Sequence, residues 1–158
     1  MDAVMHAALA YRALTLLLLG LVLAALTLLT SKRAPHDLRM AQVVLRWFLL
    51  CSVGLGFAWT AAQVLLQAGG DALQLQLGLA ALGFAAVAVA AAWGGVGMRL
   101  AALIGPSVWI VGGLLAHAAA FRGAPVVSDL LVPVVGFALL LWQYRAQRHR
   151  SVFARSRL

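Results

Sequence analysis

The stretch LGLAALGFAAVAVAAAW, Leu77–Trp93, contains no charged residue. It is apolar on every face. A half-buried strand would alternate, and the surface helix of a soluble domain would carry a polar stripe. Its length approaches the roughly 20 residues with which a helix crosses about 30 Å of hydrocarbon. A bilayer offers no partner to a free backbone N–H or C=O, so such a run must close its hydrogen bonds internally, as a helix. Working outward, four more windows share this character: Ala13–Thr30, Trp47–Leu66, Leu100–Phe121 and Val126–Tyr144. The sequence therefore predicts an all-α fold, a polytopic integral membrane bundle of five transmembrane helices. Their expected ranges are about 8–30, 43–67, 73–93, 99–121 and 126–145, in a single domain over 1–158 with a basic tail over 145–158.

Composition agrees. Of 158 residues, 65% are hydrophobic and 10% charged, far too apolar for the surface of a soluble domain. The formal charge of +8 does not mark a nucleic-acid binder, because the basic residues flank the apolar runs instead of gathering on a soluble face. One cysteine, Cys51, lies inside the second run, where it reads as a small buried hydrophobe. No cysteine cluster suits zinc or iron–sulfur ligation, and His6, His36 and His149 lie outside the spans, which removes a two-histidine haem site. Neither a catalytic triad, a HExxH run nor a phosphate loop is present. No metal, no cofactor and no enzymatic activity are expected.

Charge sets the expected orientation. With the N-terminus outside and the C-terminus inside, Lys32, Arg33, Arg39, Arg46, Arg99, Arg145, Arg148, Arg150, Arg155 and Arg157 lie inside. Only Arg12 and Arg122 lie outside, so the positive-inside rule chooses this arrangement. The first run is longer than a signal-peptide core and has no small-residue cleavage site after it, so it reads as an uncleaved helix. Gly69-Gly70-Asp71, Gly94-Gly95-Val96-Gly97 and Arg122-Gly123-Ala124-Pro125 read as tight turns, which make consecutive helices antiparallel neighbours. The third helix is rich in alanine, with Gly78 and Gly83, and suits close packing within the bundle or against a partner. Gly105-Pro106 and Pro133 are expected to bend or loosen their helices.

Placed by depth, the polar residues gather at the outer end. Gln63 and Gln67 end the second helix, and Gln74 and Gln76 begin the third. His117 lies about one turn from the outer end of the fourth, Asp129 begins the fifth, and Arg12 begins the first. The inner half has little beyond Ser52, Ser107 and interfacial arginines. Intramembrane ionisable groups are costly and often functional, so a His117–Asp129 pair is the leading candidate. Ser128-Asp129 is equally a good helix N-cap. Candidate ligand-binding residues are His117, Asp129, Gln63, Gln76, Trp59 and Arg12. Trp47, Trp93 and Trp142 read as boundary anchors, while Trp59 and Trp109 are deeper and suit a pocket wall or the core. Arg145, Arg148, Arg150, Arg155 and Arg157 form a tail suited to anionic lipid.

Several segments carry a resemblance: Thr30-Ser-Lys-Arg-Ala-Pro35, Ser52-Val-Gly-Leu-Gly56, Leu103-Ile-Gly-Pro-Ser-Val-Trp109 with Gly112 and His117, and Ser128-Asp-Leu-Leu-Val-Pro133. They span about four-fifths of the chain. On them the chain resembles a family of small, uncharacterised bacterial membrane proteins, known as a domain of unknown function. More distantly it looks like the DoxX-like four-helix membrane proteins. The resemblance implies a multi-pass protein of the bacterial inner membrane. It also implies a His where this chain has Gln63 and a Glu where it has Gln76, so only His117 and Asp129 of those polar positions are kept. The expected role is a non-enzymatic accessory or structural subunit, with a membrane-protein partner or a second copy of the chain. The alternative is a binder or transporter of a quinone or lipid through an outward-facing polar cavity between the second, fourth and fifth helices.

Overall fold

The structure, a computed structural model, describes residues 12–31, 37–67, 69–116 and 124–155, with the backbone alone for 114, 116, 124–129 and 149–155. Five helices fill these residues: α1 (Arg12–Leu29), α2 (Asp37–Gln67), α3 (Ala72–Trp93), α4 (Val96–Ala116) and α5 (Ala124–Arg155). Each contains a stretch long and apolar enough to cross a membrane, and no strand occurs among the described residues. α2 packs on α3, α3 on α4, α4 on α5, and α5 returns to the first half of α2. These four close a ring. α1 lies against α2, touches α5 more lightly, and buries only Gly20 and Ala24.

The α2–α3 seam is built from small residues. α3 buries Gly78, Ala81, Ala85, Ala88 and Ala92, at alternating intervals of three and four. That is the heptad period that keeps one face turned toward a neighbour, and its small side chains let the backbones approach closely. A Cβ on Gly78 would stand 2.6 Å from Leu65 Cγ. Similar close points fix the other seams. A Cβ on Gly105 of α4 would meet Phe84 Cε1 at 2.7 Å, and one on Gly136 of α5 would meet Leu103 Cδ2 at 2.7 Å. Phe57, Phe84 and Trp109 make an edge-to-face ladder across α2, α3 and α4, with centroids 5.4 and 5.8 Å apart. The expected packing role of Trp109 fits this ladder. Trp59 lies on the outer surface of the bundle, 48% exposed.

Helix α2 changes its winding. Residues 49–55, Leu49–Leu55, form a π-helical segment between two α-helical parts, Asp37–Phe48 and Gly56–Gln67. The burial pattern explains this. Ala41, Leu45, Leu49, Val53, Phe57 and Ala61 are all buried, one at every fourth position. On a straight α-helix, each step of four overshoots a full turn by roughly 40°, so the stripe would wind off the core. A π turn takes more residues per revolution and brings the stripe back.

The turns follow their residues. Gly69 and Gly70 have φ of 51° and 95°, where L side chains are strained, and the Asp71 carboxylate accepts the Leu73 N–H at 3.0 Å as the N-cap of α3. α2 begins at Asp37, six residues before the expected 43, and α5 runs on to Arg155 past the expected 145. Both extensions are helical without being apolar: Asp37, Arg39 and Gln42 fall in the first turns of α2, where Ala41 is buried, and a hydropathy window misses such turns. α4 and α5 stay helical through Pro106 and Pro133.

Candidate functional site

The buried polar network of the described residues lies where α3 ends and α4 begins. A helix leaves its last carbonyls without partners and its C-terminus partially negative. α3 ends at Trp93, Gly94 donates its N–H to the Ala91 carbonyl at 3.1 Å, and α4 starts at Val96. Arg99, in the first turn of α4, folds back over this end. Its Nε donates to the Ala91 carbonyl and its Nη2 to the Ala92 carbonyl, both at 3.3 Å. Its Nη1 donates to Gln143 Oε1 of α5 at 2.8 Å. Arg99 is 7% exposed and Gln143 2%. One guanidinium thus ties α3, α4 and α5 together with neutral acceptors.

A second arginine arrives from α2. The Arg46 guanidinium lies 4.6 Å from the centroid of the Trp93 ring. Its Nε is buried with no hydrogen-bond partner among the described residues, and so is the Ser52 hydroxyl one and a half turns further along α2. Around this end, Trp47 Nε1 donates to Thr27 Oγ1 of α1 at 2.8 Å and Arg39 Nη2 donates to Ser31 Oγ. On α5, the Arg148 guanidinium lies 4.8 Å from the Tyr144 ring centroid.

An open crevice of about 460 Å³ runs between α1, α2 and α3. Leu19 and Leu23 of α1, Trp47, Leu50, Cys51, Gly54, Leu55 and Ala58 of α2, and Leu82, Ala85, Ala86 and Val89 of α3 line it. Its breadth follows from small side chains on α2 and α3 at the π segment. Along α3 its lining runs from Leu82 to Val89, about 10 Å at 1.5 Å per residue.

The opposite end is looser. Arg12 Nη1 donates to Gln63 Oε1 at 3.4 Å, an exposed contact that brings together two of the predicted residues. Gln76 and Trp59 are exposed and apart from the crevice. His117 lies outside the described residues, as do the side chains of Asp129, Arg150 and Arg155 and the whole of Arg157. Arg145 is exposed on α5. Gln143, passed over in its apolar run, is buried and accepts from Arg99. Arg46 and Arg99 entered the sequence reading only as topology markers. The available signal was one amide inside an apolar window and one arginine directly after a Gly-Gly turn, at the same end of the bundle.

The model of a family of unknown function, DUF6790, matches residues 11–149. The chain belongs to this family. The DUF6790 match covers all five helices through residue 149 and agrees with the resemblance to an uncharacterised domain. The more distant likeness to DoxX-like proteins gains no support from it. No curated protein and no solved structure matches the chain.

Proposed function

We propose that this chain is a multi-pass membrane protein that binds the hydrocarbon chain of a lipid in the crevice between α1, α2 and α3, and performs no chemistry of its own. The crevice carries this reading. Its volume of about 460 Å³ lies within the roughly 300–1,000 Å³ of ligand pockets. Its lining on α3 extends about 10 Å, within the roughly 15 Å of one leaflet of a hydrocarbon core about 30 Å thick. Its wall is apolar apart from the Trp47 ring N–H, which is spent on Thr27. The count of basic residues supports an N-terminus outside and a C-terminus inside, which puts Arg46, Trp93 and Arg99 at the cytoplasmic face. The bacterial inner membrane is the location that the resemblance implies, and the arginines of α5 and the tail suit its anionic surface.

Native mass spectrometry of protein released from mild detergent tests this. Wild type retains a lipid of discrete mass that survives delipidating washes, and Ala86→Phe, which fills the crevice from an exposed position on α3, loses it. Equal retention by both proteins contradicts the reading.

A second reading, an accessory or structural subunit paired with a membrane protein or a second copy, draws on the outward face of α3. Ala80, Gly83 and Ala90 are exposed there, and a Cβ on Gly83 would meet nothing within 4 Å. Small residues of this kind permit close helix contact. The same spectra separate the two: a partner adds the mass of a polypeptide instead of a lipid.

A further inference from the structure

We propose that Arg46, stacked on Trp93 at the mouth of the crevice, binds the phosphate of an anionic membrane lipid whose chain lies in that crevice. The inference rests on the chain-binding reading above and adds the chemical class of the headgroup. The first ground is charge balance. Four acidic residues occur in the sequence, Asp2, Asp37, Asp71 and Asp129. Arg99 bonds two carbonyls and an amide, and the buried Nε of Arg46 has no hydrogen-bond partner among the described residues. The two cations share one end of the bundle, and among the described residues no carboxylate is bonded to the Arg99 guanidinium or to Arg46 Nε. Such charge calls for an anion supplied from outside the chain.

The second ground is position. Leu50 and Val89 line the crevice. Arg46 lies four residues before Leu50 on α2, and Trp93 four residues after Val89 on α3. Side chains so spaced share a helix face, so the cation caps the groove at the end where a headgroup would emerge. The third ground is chemistry. The Arg46 guanidinium lies 4.6 Å from the centroid of the Trp93 ring, and a guanidinium can hold a phosphate with paired N–H bonds.

Arg99 has a positioning role. The C-terminus of α3 would by itself repel an anion placed at Trp93. Arg99 covers the Ala91 and Ala92 carbonyls and replaces that negative end with a fixed positive charge. A free phosphate would need only the cations, whereas a lipid also uses the adjoining groove, so the continuity of the two favours the lipid.

Binding of phosphatidylglycerol and phosphatidylcholine with identical acyl chains, compared by native mass spectrometry, tests this. Wild type should favour phosphatidylglycerol about fivefold, the scale of one basic residue acting near an anionic lipid. Arg46→Gln should bring the two lipids to parity while keeping chain binding, and Arg46→Lys should recover part of the preference. Ala86→Phe should weaken both lipids alike. An unchanged preference in Arg46→Gln overturns the headgroup assignment and leaves the crevice standing. Undiminished binding of both lipids by Ala86→Phe overturns the crevice reading itself. Displacement of phosphatidylglycerol by inorganic phosphate alone would show a free anion, not a lipid, as the occupant.

Discussion

The two ends of the bundle are held by different means. At the end with Arg12, Gln63 and Gly78, polar side chains are numerous but exposed, and cohesion comes from backbone approach along the α2–α3 seam. At the end with Arg46, Trp93, Arg99 and Gln143, exposed polar side chains such as Arg145 surround two enclosed ones, Arg99 and Gln143, and cohesion runs through one buried guanidinium. Polar density along a sequence therefore does not locate a polar network. Burial does, because an enclosed donor must find an acceptor, while an exposed one is free to use water.

The sharpest way to break this contrast is Arg99→Ala. It leaves the Ala92 carbonyl and the Gln143 amide without their donor, while the Ala91 carbonyl keeps the Gly94 N–H. Each buried group left unpaired costs about 1–3 kcal/mol, so a total loss of about 2 kcal/mol or more is expected in chemical unfolding from detergent. A loss below about 1 kcal/mol would put the two ends on the same footing.

Gly78→Val attacks the other end by its own means. The new side chain meets Leu65, and overpacking of this kind costs about 1–3 kcal/mol. Gly83→Val on the same helix, where a Cβ meets nothing, is the control and should leave the thermal midpoint in place. Equal shifts from both would mean that propensity, not the seam, governs α3.

Gln143→Leu sharpens the first experiment. Arg99 keeps both carbonyls and loses one acceptor, so the loss should be about 1–2 kcal/mol, smaller than for Arg99→Ala. Smallest of all is Gln63→Ala, which removes the exposed contact with Arg12. About 0.6 kcal/mol or less is expected, the average for a hydrogen bond between membrane helices. A larger loss for Gln63→Ala than for Gln143→Leu would invert the comparison.

Five helices were legible because each carries an unbroken apolar run, and the Gly69-Gly70 turn was legible because few other residues adopt those backbone angles. The first turns of α2 were not, since Asp37, Arg39 and Gln42 make them amphipathic instead of apolar. The π segment was hidden for another reason. Its signal is the every-fourth-residue spacing of Ala41 to Ala61, and in a run where nearly every neighbour is apolar no single stripe stands out. The basic end was illegible because most of what Arg99 binds is backbone. Two main-chain carbonyls at a helix end have no residue identity to read. The predicted outer cluster came from counting polar residues by depth, which finds where they are dense but not which of them are enclosed.

The slack turn in α2 also bears on how this chain tolerates insertions and deletions. A residue cut from an ordinary α-helix swings everything beyond it by about 100°, which would carry Phe57 and Ala61 away from α3. Between Leu49 and Leu55 the winding already holds surplus length, so a cut there is absorbed by tightening one turn from π to α. The two arms of α2 are thus bound to each other by the faces they must present, and the number of residues between them is the adjustable quantity.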